Sequence, residues 1–437
     1  MGEERFIRID PRDFISPPFQ TCPQCGRETF GVLMIPGRHY VRRCRERECW
    51  HTAHFPLPPL KKTVIYVDQF AISNMMVALN PATEAHRAGR VNPIWLDLFR
   101  WLDHLAKLQL IVCPDSGFHY DESIVSPFYR ALKRMYELLS GGVTFQDSSY
   151  IEQSQLIVSV KEWMSGQATP RFDLNTRDII TGELDRWWDR FHVTANMNVP
   201  EEWVEDLRRQ REQTHEIMRE VFERWQREQP PFDEVFAEEV AAYGRSLVQS
   251  WLRLMKRWIR VYSGQEPLSL ELLGPPPVRT LHEIQDALRE SGVADEEVWP
   301  KTIEFLTSDY LQRIPFLRLR SMLFASISRK AAAGQRRLPT RGFVTDVMMA
   351  SCLLPYCDAM LVDNEIAAFL SEQPLASEVV RFGTRVLSLN TIQEFFSYLD
   401  SIEAAASAEH LELVRTVYGP EWVRPFETVY RQEGGES

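Results

Sequence analysis

The stretch TVIYVDQF, residues 63–70, decides the fold. It is a β-branched apolar run of strand length that stops at Asp68. Downstream, PIWLDLFRWLDHLAKL (93–108) places apolar residues at helical spacing, and QLIVCPDS (109–116) brings a second short apolar run. Strand, helix, strand is the pattern of a parallel βαβ unit. Upstream, the proline-rich HFPLPPLKK (54–62) closes a small module spanning about 20–55.

Further along, residues from about 127 to 310 read as helical. EEWVEDLRRQREQTHEIMREVFERWQRE (201–228) surrounds spaced apolar residues with both signs of charge, and GQEPLSLELLGPPPVRT (264–280) reads as a loop. The α/β alternation then returns. Thr345-Asp346 precedes the helix VMMASCLL, AMLV is a strand ending at Asp363, NEIAAFL is a helix, and RVLSL (385–389) is the next strand. Asn390 is the expected N-cap of TIQEFFSYLDSIEAAA. The expected division is a small N-terminal module at 1–58, an α/β core in two parts at 61–135 and 313–405, a helical insertion at 136–312, and an acidic C-terminal tail at 406–437.

The chain has 437 residues and a formal net charge of −11, which argues against a general polyanion binder. The charge is unevenly spread. Arg313 to Thr345 holds eight basic residues and no acid, whereas Asp346 onward holds 15 acids against 5 basic residues. No run of 18 apolar residues predicts a membrane span, and MGEERFIRIDPRDF has no apolar core of a secretory signal. With Phe6 where myristoylation needs Ser or Thr, the cytoplasm is the expected location.

Four of the seven cysteines crowd the first fifty residues. Cys22-Pro-Gln-Cys25-Gly26 is a tight knuckle offering two thiolates, and Cys44 and Cys49 offer two more. Zinc takes four such soft ligands at tetrahedral corners, and with all four supplied by protein its role is structural. ETFGVLMI and RHYVRR between the pairs read as short strands, which suits a zinc ribbon. The second pair has a wider gap than usual, so His51 or His54 is an alternative to Cys49. Arg38, Arg42, Arg43, Arg45 and Arg47 around it are either a nucleic-acid contact or a solvated face. Cys113, Cys352 and Cys357 sit in apolar surroundings and read as core.

Four acids recur at one kind of place. Asp68 and Asp363 end strand-length apolar runs, Glu122 follows the second run, and Asp346 opens a helix. In a parallel sheet the C-terminal strand ends share one edge, where α/β proteins place their sites. Carboxylates converging there would repel one another unless they held divalent cations, and hard oxygen ligands suit Mg²⁺ or Mn²⁺. Singly, each has a plainer explanation: Asp346 as an N-cap, Asp363-Asn364 as an Asx turn, Asp121 and Glu122 as a solvated helix face. Asp358 is a weaker fifth candidate, with a turn role favoured. His119 is the one histidine near these acids, and a surface position is favoured for it.

TVIYVDQFAIS, LIVCPDSGFHYDES and TDVMMASCLLPYCDAMLVDNEIAAFL resemble the successive acidic motifs of the PIN-like metal-dependent nucleases. That resemblance covers about 61–135 and 315–405. It implies a parallel α/β/α sandwich whose Asp68, Glu122, Asp346 and Asp363 hold one or two Mg²⁺ or Mn²⁺ ions, with a metal-activated water hydrolysing a phosphodiester. Ser73 and Asn364 would be accessory polar contacts. RNA is the first expected substrate, with an endoribonuclease serving as toxin, processing factor or defence effector. A DNA-specific nuclease and a non-catalytic nucleic-acid-binding adaptor are the alternatives. Arg329, Lys330, Arg336, Arg337 and Arg341 are the expected nucleic-acid contacts, against a plain reading as solvated helix faces. The long insertion is not explained by the resemblance and would recognise substrate, a protein partner or a second copy of the chain. Trp187-Trp188, Trp251 and Trp258 could stack on bases, though core packing is the better expectation. The chain lacks GxxxxGK[ST], GxGxxG after a strand, HExxH and GxSxG, so nucleotide-driven motors, dinucleotide dehydrogenases, zincin proteases and α/β-hydrolases lose their usual support.

Overall fold

The computed structural model describes residues 10–166, 174–190, 199–269, 272 and 276–431. The N-terminal module is an antiparallel meander of β1 (Ser16–Gln20), β2 (Phe30–Met34), β3 (His39–Cys44) and β4 (Thr52–Pro56) in that order. It turns about the cysteines at one end. Along β3, the buried guanidinium of Arg42 donates to the Pro18 and Phe30 carbonyls within the ribbon and to the Thr416 carbonyl far along the chain. Arg42 is 0% exposed, so it is a packing residue and not a nucleic-acid contact.

The 63–67 run becomes β5 (Thr63–Val67), followed by α1 (Gln69–Leu79), a single turn α2 (Glu84–Arg87), α3 (Ile94–Lys107), β6 (Ile111–Val112), α4 (Gly117–Ile124) and α5 (Tyr129–Ser140). The insertion contributes the small ladder of β7 (Thr144–Phe145) and β8 (Ile180–Thr181), with α6 (Ser148–Met164) between them. The helices α7 (Glu201–Glu228), α8 (Phe232–Tyr262), α9 (Pro276–Glu290) and α10 (Asp295–Leu306) follow. Then come α11 (Pro315–Ala332), α12 (Phe343–Leu353), β9 (Ala359–Leu361), α13 (Asn364–Ser371), α14 (Leu375–Phe382), β10 (Arg385–Leu387), α15 (Ile392–Ala404) and α16 (Ala408–Tyr418).

The main sheet is parallel, in the order β10-β9-β5-β6. The chain starts at β5, steps to β6 on one side, and returns to β9 on the other. The reversal of direction therefore falls between β5 and β9, where the loops beyond the strand ends part and leave a crevice. Because successive side chains alternate faces, Ile65 and Val67 enter one core with α1, α3, α5, α15 and α16. Val64 and Tyr66 enter the other with α11, α12 and α13. Helices thus cover both faces of a mixed α/β fold, as a parallel sheet requires.

Several boundaries differ from the sequence reading. Asp346 does not open its helix: α12 begins at Phe343 and the acid lies in its first turn. The 264–280 loop gives way to helix at Pro276, a residue whose fixed φ suits a first turn. The insertion is not a detached cap. It has a core of its own around Leu156, Leu281, Ile284 and Phe305, yet Met218, Phe222 and Trp225 of α7 pack into the second sheet face and Trp187 and Trp188 into the first. Those two tryptophans are core, not a stacking platform. The acidic tail is packed as well: Val414, Val417, Tyr418, Val429 and Tyr430 are buried in the first core, because the acids of 409–427 alternate with apolar residues that face inward. Residues 1–9 and 432–437 of the expected terminal segments lie outside the described residues. No helix among the described residues is long and apolar enough to cross a membrane.

Candidate metal centre

Two groups of side chains have the chemistry of a metal site. The first is the ribbon cluster. The Cys22 and Cys49 sulfurs lie 3.6 Å apart and those of Cys25 and Cys44 3.7 Å apart, with all four within 4.8 Å of one another. A tetrahedral ion with sulfur ligands at about 2.3 Å sets its sulfurs about 3.8 Å apart, so the four cysteines could hold a metal such as zinc with little adjustment. Burial opposes ionisation of Cys22, but the Cys25 and Gln24 backbone N–H groups bring its thiol down to about 7. The His51 backbone N–H draws Cys49 down, yet burial and the neighbouring sulfurs outweigh it and hold that thiol up at about 12. One thiol ready to ionise beside another that resists is how sulfurs behave when they share one small space, and a cation relieves it. The wider gap before Cys49 is absorbed by a turn that ends with Trp50 at φ 47°. The His51 ring instead lies against Phe30 and the His54 ring against His39, so neither histidine takes the place of Cys49.

The second group lies at the crevice between β5 and β9. Val67 pairs with Leu361 across the ladder, so Asp68 and Asp363 leave adjacent strands within a residue of each other. Each caps the helix it precedes: the Gln69 N–H donates to Asp68 Oδ1 at 2.6 Å, and the Ile366 N–H to Asp363 Oδ1 at 2.7 Å. The cap reading and the site reading therefore coexist, since a carboxylate has oxygens for both. Glu122 comes in on α4 and Asp346 on α12.

The four acids act on one another. Asp68 is 7% exposed; burial, then the charge of Glu122, push its carboxyl up to about 8 against the pull of the Gln69 N–H. Burial, then Asp68, Asp363 and Glu122, push Asp346 up to about 9. Burial raises Glu122 to about 7, with Asp121 and Asp363 adding to it and the cation of Arg211 opposing. Asp68 and Asp363 charges both bear on Asp346, so the sequence-distant acids lie within electrostatic reach of one another. They form a mouth wider than a closed cage: among the described residues, the cysteines are the one group of three or more such ligands whose atoms all lie within 4.8 Å. Asp358 is not among them. It stands at the beginning of β9, on the opposite edge of the sheet, where its Oδ2 accepts the Val64 N–H at 2.7 Å.

The support beneath the acids was not legible in the sequence. His119 is buried at 3% exposure, stacked between Tyr66 and Tyr136 with ring centroids 4.8 and 5.0 Å away, and is not a surface residue. Its Nε2–H donates to the Val67 carbonyl at 2.8 Å, fixing the backbone just before Asp68, and burial lowers the ring to about 4, so it is neutral. Gln69 accepts from the Tyr136 hydroxyl at 2.7 Å and donates to Ser123 at 3.1 Å and Ser73 at 3.3 Å, tying α1, α4 and α5 together. Ser73 thus serves this network. Asn364 accepts the Asn390 N–H through its side chain.

The basic run divides in two. Arg329 and Lys330 pair with Glu372 at 3.1 and 2.8 Å, and Lys330 also caps the Phe369 ring at 3.8 Å. Arg341 pairs with Glu212 of α7 at 3.3 Å. Arg336 and Arg337 are exposed and form no ion pair among the described residues. Arg337 lies close enough to the crevice for its charge to bear on Glu365, beside Asp363. Arg211 of α7 bears on Asp121 and Glu122 from the other side, a cation that sequence reasoning missed because the insertion showed no link to the acids.

Compared with protein-family models, with curated proteins and with solved structures, the chain gives no match.

Proposed function

We propose that the chain is a metal-dependent nuclease of the PIN-like kind, with RNA as its first substrate. The observation that carries the reading is the gathering of Asp68, Glu122, Asp346 and Asp363 at the crevice between β5 and β9, where each raised carboxyl is raised in part by its neighbours. Acids raised by burial and by one another's charge form a good donor set for a hard divalent cation. Mg²⁺ or Mn²⁺ held there would supply an activated water and neutralise the departing oxygen of a phosphodiester. The protein's own work is to keep the four acids apart yet convergent. Capping fixes Asp68 and Asp363, the His119 hydrogen bond fixes the Val67 carbonyl, and the Gln69 network sets the distance of α4 from α1. Arg211 and Arg337 flank the acids, where a phosphate approaching negative ligands needs a compensating charge. In this reading 61–135 and 313–405 form the two parts of the PIN-like core, and 136–312 is the insertion that roofs them.

The test is cleavage of matched RNA and DNA oligonucleotides by the full chain with Mn²⁺, Mg²⁺ or EDTA, beside Asp68→Asn and Asp346→Asn. Metal-dependent cleavage of RNA, lowered at least a hundredfold by either change, is expected. The wide spacing of the acids favours one second reading, a non-catalytic nucleic-acid-binding adaptor. Absence of cleavage together with absence of any Mn²⁺-induced stabilisation would establish that reading instead, and cleavage of the DNA strand alone would assign a DNA-specific enzyme.

A further inference from the structure

From Val240 to Gln265 the chain carries five basic residues and no acid. Most of that stretch lies in α8, whose inner face is well held. Leu254 packs on Leu272 and Val278, and Trp251, Met255, Trp258 and Val261 close around them. The outer face is different. Leu252 and Ile259 stand two turns apart on it, with Lys256 and Arg260 alongside at the four-residue spacing that keeps neighbours together. Exposure climbs toward the helix end: Leu252 is 45% exposed, Ile259 67% and Tyr262 85%, with Leu268 beyond the helix at 62%. Several large apolar side chains are thus left in water within a short stretch, where a solitary one would need no explanation.

Two of the cations are neutralised, Arg245 by Glu238 and Arg257 by Glu266. The other three are not. Arg253 donates to the Ser250 hydroxyl at 2.9 Å, and Lys256 and Arg260 form no ion pair among the described residues. An apolar strip beside uncompensated cations narrows the occupant. A nucleic-acid strand would meet the cations and leave the aliphatic side chains in water. A second copy applying this same face would set cations against cations. A bilayer with anionic headgroups meets both, since apolar side chains enter the acyl boundary while Lys and Arg stay among the headgroups. The net charge of −11 does not prevent this, because exposed charges more than about 8 Å away are screened at physiological salt.

We propose that the outer face of the α8 C-terminal end docks the protein on an anionic lipid surface. Leu252, Ile259 and Tyr262 enter the headgroup layer, and Arg253, Lys256 and Arg260 hold its negative charges. The proposal does not rest on the nuclease reading.

The experiment sediments the full chain, in EDTA, with vesicles of phosphatidylserine and phosphatidylcholine in equal parts, and with phosphatidylcholine alone. A cation near an anionic surface contributes a factor of about five, so the mixed vesicles should be preferred about a hundredfold, and less at high salt. Lys256→Gln with Arg260→Gln should weaken that binding about 25-fold. Ile259→Asn with Tyr262→Asn should weaken it about tenfold or more through lost apolar burial. All four positions are exposed, so the unfolding temperature should hold. No sedimentation with the mixed vesicles, equal binding to both kinds, or full binding by either double variant would overturn the proposal. So would a dimer, or retention of single-stranded RNA, that is lost in Ile259→Asn with Tyr262→Asn while vesicles go unbound, since the face would then belong to a second copy or to RNA.

Discussion

Replacing Asp346 by Asn should stabilise the protein, and more so as pH rises. Burial and the charges of Asp68, Asp363 and Glu122 raise the folded carboxyl from 3.8 to about 9. A folded group that holds its proton more tightly than the unfolded chain contributes fully below the unfolded value, and that contribution drains away as pH climbs toward 9. At pH 7 the unfolded carboxyl has ionised and the folded one has not. The gap of about three units, at about 1.36 kcal/mol each, amounts to about 4 kcal/mol of lost stability. Water drawn toward the carboxyl reduces this, so a gain of about 1–3 kcal/mol is expected for Asp346→Asn at pH 8 in EDTA. At pH 4, where the native carboxyl is neutral like the amide, the two proteins should nearly coincide. Urea unfolding followed by tryptophan fluorescence between pH 4 and 8.5 measures this directly. Saturating Mn²⁺ should then reverse the order, stabilising the native chain and not the variant. Parallel pH profiles for the two proteins, with no divergence above pH 5, would refute the mutual burial of these acids.

Cys49→Ser should abolish the metal content of the purified protein or reduce it well below one equivalent, while His51→Ala retains it; elemental analysis decides, and the opposite pattern would reassign the fourth ligand. Arg336→Glu with Arg337→Glu should weaken binding of single-stranded RNA and lower its salt slope by about 1.4, at about 0.7 for each lost phosphate contact. Arg329→Gln, whose partner is Glu372, should leave that slope near its native value, and equal effects from both changes would dissolve the division of the basic run.

How far the sequence could be read depended on how local the cause was. Asp68 and Asp363 were legible because each directly follows a buried strand that alternation and β-branching announce. Cys22 and Cys25 were legible because two residues suffice to define the knuckle. Asp358 misled for a reason of direction: it is only five positions from Asp363, but β9 lies between them and carries it to the other edge of the sheet. His119 sits among polar residues in PDSGFHYDES, so nothing local shows that two tyrosines from other elements enclose it. The basic run looked uniform because its carboxylate partners, Glu212 on α7 and Glu372 just past α13, lie elsewhere in the chain. Arg211 was hidden in the same way, and long-range pairing of this sort leaves no trace in spacing.

The Arg42 clasp bears on how the molecule is made. Its guanidinium closes on a carbonyl 374 positions later in the chain, at Thr416. A ribbon emerging from the ribosome could collect a cation early, since the four cysteines able to hold one lie between positions 22 and 49. It cannot take up that contact until Thr416 has been made as well, so a module able to form early must wait to be seated.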